Sequence, residues 1–283
     1  MEAKLQQLKQ RLLEVSDLGG AASLLGWDQT TYMPEGGAPA RGRQQALLHR
    51  LEHEKFTDAE IGRLLDALEP YAASLPYDSD DAALIRATRR DYDRQVKVPT
   101  AFVAVFSEHS AEIYQAWTRA RPDNDFARVR PLLGKTLDYS RRFSEFFAPY
   151  DHIGDPLIDF SDYGMKAASV RAVFAQLRDG LVPLVKAITD QPPVDDSFVH
   201  RHFPQQAQLD FGLDVIKSYG FDFTRGCQDL THHPFMTKFS IGDVRITTHV
   251  KENDMRDGLF STLHETGHAL YDQNCYQCHA FPG

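Results

Sequence analysis

Leu5, Leu8, Leu12 and Val15 recur every three or four positions with polar residues between them, the spacing of one buried helix face. Gly19-Gly20 is expected to break that helix, with a second helical stretch over residues 21–27. Residues 34–39, Pro-Glu-Gly-Gly-Ala-Pro, read as a loop, and residues 43–68 return to helical composition. The acidic run Tyr77-Asp78-Ser79-Asp80-Asp81 suits a solvated helix cap more than a metal site, with a helix over about residues 82–95. Val98-Pro99 opens a long helix carrying Phe102, Val105, Phe106, Ile113 and Trp117, and residues 122–125 form a turn. Further helices are expected over residues 128–147 and 169–188. Gln191-Pro192-Pro193 is the best linker, and no internal repeat is visible.

The texture changes from about Gly220. Phe239-Ser240-Ile241 and residues 244–250 alternate β-branched with polar residues, and Gly242-Asp243 between them predicts a tight hairpin turn. A short antiparallel pair of this kind suits backbone pairing with an extended peptide. A partly buried helix follows: Leu259, Phe260, Leu263 and Leu270 supply an apolar face, and Asp254 and Asp257 are candidate N-caps. The expected fold is therefore mainly α, with a small antiparallel β pair next to the helix that carries the chemistry.

That helix holds His264-Glu265-Thr266-Gly267-His268, an H-E-x-x-H pattern. With 12 His in the chain, the pattern arises by chance in roughly 0.02 of such sequences. Residues i and i+4 share one helix face, so His264 and His268 can hold one zinc ion. Glu265, beside the first His, is placed to act as general base. A hydrolytic zinc site also needs a third protein ligand and an open fourth position.

Composition narrows the class without naming a chemistry. Net charge is −9 with a pI near 5.7, which leaves no basic surplus for nucleic acid or an anionic membrane. No apolar run approaches transmembrane length, Met1 to Gln10 lacks a signal-peptide core, and three Cys rule out a disulfide framework. These features fit a cytoplasmic protein.

With these segments placed, the chain resembles the M32 metallocarboxypeptidases of the carboxypeptidase Taq type. The residues that carry the resemblance are Trp27-Asp28-Gln29-Thr30-Thr31-Tyr32-Met33-Pro34 with Gly36-Gly37-Ala38 and Arg41, then His233-Pro234-Phe235, Asp243-Val244-Arg245-Ile246-Thr247 and His264 to His268. The resemblance implies an almost wholly helical fold with a small sheet near a deep groove. It also implies homodimers, and release of single C-terminal residues from peptides with one divalent metal, zinc or cobalt. It makes His264 and His268 metal ligands and Glu265 the general base, with His233, Asp243 and Arg245 lining or bracing the site.

Residues 1–190 are expected to be an N-terminal helical region and 191–273 the start of a catalytic region. The family's further motifs, among them a third metal ligand and an Arg for the substrate carboxylate, have no counterpart here. Residues 274–283 change composition, as truncation or a frameshift would produce. The alternative function is thus a non-catalytic fragment without the third ligand and carboxylate clamp. Cys275-Tyr276-Gln277-Cys278-His279 also spells a haem-attachment pattern, and Cys275 and Cys278 with His264 and His268 would make a closed structural zinc site. Both readings rank below the metallopeptidase.

Overall fold

Helix α1 (Glu2–Thr31) runs unbroken through Gly19-Gly20, in contrast to the expected interruption. Packing overrides the roughly 1 kcal/mol that each helical glycine costs. A Cβ on Gly19 would stand 3.0 Å from Oε1 of Glu52, and one on Gly20 would stand 3.5 Å from the Phe239 carbonyl oxygen. Both glycines thus face neighbouring elements rather than solvent. The expected loop at 34–39 is only a single 3-10 turn, because α2 (Ala38–Phe56) starts with Pro39 in its first turn, where a missing N–H costs nothing. The single stretch expected over 43–68 is two helices. Asp58 ends it by accepting a 2.7 Å hydrogen bond from the Glu60 N–H, which caps α3 (Ala59–Ser74).

The structure is a computed structural model that describes residues 1–274. After α4 (Asp80–Gln95), which Ser79 caps, come α5 (Thr100–Ala120), α6 (Phe126–Glu145), α7 (Asp155–Ser161), α8 (Ala167–Thr189) and α9 (Gln205–Ser218). Strands β1 (Gln228–Leu230), β2 (Met236–Ser240) and β3 (Asp243–Thr248) precede α10 (Met255–Asn274). The acidic run before α4 behaves as a cap, with Asp80 and Asp81 in the first turn and Asp81 paired to Lys9 at 2.8 Å. No helix among the described residues is long and apolar enough to cross a membrane.

Two compact units make up the chain: Met1–Asn124 with the chain from Val199 onward, and Asp125–Phe198. The first has two cores. Leu5, Leu8 and Leu12 of α1 close against Ile61, Leu64, Leu65 and Leu68 of α3 and Ile85 of α4. Ile216 of α9, Phe221, Val244 and Ile246 of β3 and Ala269 of α10 form the other. The second unit holds α6 to α8, and Asp155 ties its last two helices together by accepting from the Ala167 N–H at 2.8 Å.

The expected antiparallel pair is present: Met236 pairs with Ile246 and Thr237 with Arg245. The turn is Ile241-Gly242 rather than Gly242-Asp243, so Asp243 is the first residue of β3. A third strand joins the pair. β1 runs parallel to β3, with Gln228 opposite Ile246, which makes the order β1-β3-β2 and puts β3 in the middle. The backbone entering β1 lies hard against β3. Val244 N–H donates to Arg225 O at 2.8 Å, Ile246 N–H donates to Cys227 O at 2.9 Å, and a Cβ on the intervening Gly226 would sit 2.2 Å from the Val244 carbonyl oxygen. We expect Gly226→Ala to cost about 1–3 kcal/mol through backbone displacement. By contrast, Gly134→Ala, which meets nothing within 4 Å inside α6, should be neutral or stabilising. Equal melting temperatures for the two variants would refute this account of Gly226.

Candidate metal centre

Helix α10 has two unlike faces. Gly258, Thr262, Thr266, Ala269 and Gln273 recur at helical spacing and are buried. The small side chains of Gly258, Thr262, Thr266 and Ala269 let the helix lie close on β3. Thr262 donates to the Thr248 hydroxyl at 3.0 Å, and Thr248 donates to the Gly258 carbonyl at 3.2 Å. The far end is held by Gln273, which donates to Asp222 O and accepts from the Asp222 N–H, both at 3.0 Å. Lys238 of β2 adds a 2.6 Å ion pair to Asp272. A partly buried, still solvent-accessible ion pair of this kind is worth about 1 kcal/mol, whereas each fully buried Val or Ile side chain contributes about 1.5–3 kcal/mol. The apolar contacts therefore hold the helix down, and the polar ones set its rotation.

The opposite face carries Phe260, His264, Gly267, His268 and Tyr271, all exposed. The His264 and His268 rings stand 5.0 Å apart between centroids, with their Nε2 atoms at 3.3 Å. Two imidazoles on one tetrahedral zinc, at about 2.0–2.1 Å each, bring their nitrogens to about 3.3 Å. The pair therefore fits two positions of such an ion, and the same separation serves an N–H···N hydrogen bond when no ion is held. Glu265 is 8% exposed, on the same helix beside the first His. Among the described residues no third His, Cys, Asp or Glu joins the pair. Cys275, Cys278 and His279 lie outside the described residues.

The N-terminus of α10 is anchored by Asp254, which accepts from the Arg256 N–H at 3.0 Å and, in two contacts, from its guanidinium. Arg256 holds the Asp254 carboxyl down at about 2. Asp254 is thus the cap of the two candidates. Asp257 sits inside the first turn and pairs with His249 at 2.8 Å and Lys251 at 3.3 Å.

The other sequence-predicted residues gather elsewhere. Strand alternation turns Val244 and Ile246 toward α10, so Asp243 and Arg245 point from the other side of β3, toward α1. There Arg245 donates twice to Asp243, at 2.8 Å each, and its guanidinium lies 4.5 Å from the Trp27 ring and 5.0 Å from Phe239. Arg41 donates to Asp28 at 2.6 Å, which joins α2 to the end of α1. Tyr32 donates to Asp229 of β1. Partial burial and the Asp229 carboxylate push the Cys227 thiol up to about 11, so it is a poor nucleophile at neutral pH. His233 is exposed, in the turn that enters β2. The next ordered contact there is Phe235 N–H donating to Thr247 Oγ1 at 2.8 Å. No described interaction links His233, Asp243 or Arg245 to His264 or His268.

A family model described as Carboxypeptidase Taq (M32) metallopeptidase matches residues 7–281. The chain belongs to the M32 family. Membership in a metallopeptidase family implies a divalent metal. Among M32 relatives, Thermostable carboxypeptidase 1 of Thermus thermophilus is 35% identical over 283 residues, 96% of this chain and 55% of that protein. Carboxypeptidase 1 of Bacillus subtilis is 30% identical over 93% of this chain and 52% of its own length. The crystal structure of the M32 carboxypeptidase of Deinococcus radiodurans R1 superposes with a TM-score of 0.81 at 48% identity, covering 96% of this chain and 54% of that one. The chain spans about half the length of the M32 relatives it matches.

Two expectations follow, one from the Asp254 anchor of α10 and one from the Arg245 contacts between β3 and α1. The Asp254 carboxyl lies below its ordinary value of 3.8, so its contribution is complete above about pH 4 and is lost as pH falls toward 2. Asp254→Asn should therefore be less stable than wild type at pH 7, with the gap closing between about pH 4 and 2 in urea titrations. A gap that stays constant through that range would refute the assignment. Arg245→Lys should lose the paired hydrogen bonds and the ring stacking, destabilise the protein by about 1–2 kcal/mol and alter Trp27 fluorescence. Unchanged emission and unchanged stability would show that Arg245 does not brace α1 on the sheet.

Proposed function

We propose that this chain carries the metal-binding half of a carboxypeptidase site, one that releases single C-terminal residues from peptides. The observation that carries the reading is the convergence of His264 and His268 Nε2 atoms at 3.3 Å on the open face of α10, with Glu265 beside them. His264 and His268 would hold one divalent metal, zinc in the first instance and cobalt as the alternative. When bound, that ion supplies positive charge that polarises a scissile carbonyl and acidifies water. Glu265 receives a water proton at its carboxylate and returns it to the leaving amine. Its near-complete burial fixes the carboxylate in place.

Asp243 and Arg245 act in this reading as braces that hold α1 and the sheet together, and His233 shapes the turn into β2. Residues 191–273 are then the start of the catalytic region, following the helical region over 1–190. The peptide substrate, the cytoplasmic setting and a homodimeric assembly are part of the same proposal, with no role for nucleic acid or membrane. Absence of a third His, Cys, Asp or Glu beside the pair among the described residues favours a second reading for the 283 residues by themselves. They would be a non-catalytic fragment that binds metal through two imidazoles and lacks the third ligand and carboxylate clamp.

The test joins this chain to the remaining part of the Deinococcus radiodurans relative and measures zinc content and C-terminal residue release together. We expect Glu265→Gln to keep its zinc and to lose at least about a hundredfold in turnover. His264→Ala and His268→Ala should lose both zinc and turnover, and the unjoined chain should show no release with zinc or cobalt. Wild-type turnover in Glu265→Gln would sink the assignment of the base. Release by the unjoined chain would sink the fragment reading.

A further inference from the structure

Helix α8 is 23 residues long, yet Ala167 is its only fully buried residue. Phe174, Leu177, Leu181, Leu184 and Ile188 follow one another at spacings of three, four, three and four, and Val185 flanks the row. Each of the six is between 45% and 63% exposed. A 3-4-3-4 apolar row is the seam of a helix that packs along another helix. Asp179 and Lys186 lie on the side of the helix away from the row, and Arg178 borders it beside Val185. Helices in water derive most of their stability from packing such a face, so an uncovered seam of this length implies a missing partner.

The partner can be specified. α8 lies inside the span 7–281 that matches the M32 family. The relatives are nearly twice as long as the part this chain spans. We infer that the α8 seam is the docking surface for an amphipathic helix from that other part of the M32 fold, either joined to this chain or supplied as a separate polypeptide. This inference rests on the family membership used above but not on the roles given to His264, Glu265 and His268. A polar helix cannot fill the seam, because Phe174 and Ile188 at its two ends would stay in water. The chemistry therefore asks for Leu, Ile, Val or Phe at matching heptad positions on the incoming helix.

The experiment co-produces the 283-residue chain with the part of the Deinococcus radiodurans relative that it does not span, as two polypeptides, and follows hydrogen exchange in each helix. α8 amides should exchange freely in the chain alone and be slowed by at least about tenfold in the complex. Leu177→Asp and Leu181→Asp should each weaken the complex by at least about tenfold. Protection of α1 and α3 should be unchanged in both variants, which shows that they still fold. Absence of a complex, unchanged α8 exchange within it, or equal affinity for the variants would overturn the inference. So would α8 protection in the chain alone that disappears on dilution, because a second copy would then occupy the seam. Glu265→Gln must form the same complex. A complex with protected α8 and no peptide hydrolysis would refute the functional reading alone, and hydrolysis with α8 unprotected would refute the docking surface alone.

Discussion

Strand β3 governs the arrangement of everything around it, because it is a central strand with neighbours on both edges and elements on both faces. A two-residue period leaves no freedom: whatever Val244 and Ile246 face, Asp243 and Arg245 must face away from. The apolar pair is fully buried and carries the larger energy, so it determines the direction. It draws in α9 and α10, and the small residues of α10 allow that helix to settle close. Once Thr262, Thr266 and Ala269 are inside, helical geometry puts His264 and His268 outside. The orientation of the histidine pair is thus a consequence of packing on the far side of its own helix.

The same alternation divides the polar residues of this region into two groups with separate work. On the α1 side, Arg245 is neutralised by Asp243 and covered by Trp27 and Phe239, so its charge is spent on joining α1 to the sheet. Trp27, part of the N-terminal segment that carries the family resemblance, is the other half of that joint, and Arg41 holds the end of α1 to α2 through Asp28. Tyr32 extends it to Asp229 on β1. On the α10 side, the polar links at Asp254, Thr262 and Gln273 lie at the ends and on the buried face of the helix and leave the opposite face to the histidines.

Helices were legible where apolar period and caps agreed, as with Leu5 to Leu12, Asp80 to Gln95 and the H-E-x-x-H helix. Gly19-Gly20 misled because a glycine signals a break only where nothing packs against it. Here Glu52 and the Phe239 carbonyl do, and neither is near in sequence. Helix α9 had a usable signal in Leu209, Leu213 and Ile216 after Pro204. Strand β1 had none, since three residues are too few to show alternation and its pairing depends on a close approach at Gly226. The two histidines could be placed on one face from i, i+4 spacing alone. That Asp243 and Arg245 turn away from them needed the identity of the element covering each face of β3, which is tertiary information.

The convergence of the two imidazoles follows from backbone that is already fixed, so under the proposed reading a metal would meet them without helix rearrangement. The Asp254 cap, the Gln273 tie to Asp222 and a buried stripe between them mean that the ordering entropy of α10 is spent on folding, not on binding. Under that reading, affinity would be limited by how many ligands are present and not by how well the two are aimed. Every added anionic ligand would gain the full benefit of that preorganisation. The exposed Phe260 and Tyr271 flank the pair one turn to either side, which makes the face apolar around a polar centre. A wall closing over that face would exclude water from the aromatics and bring a ligand to the imidazoles in the same movement, so burial and coordination would reinforce one another.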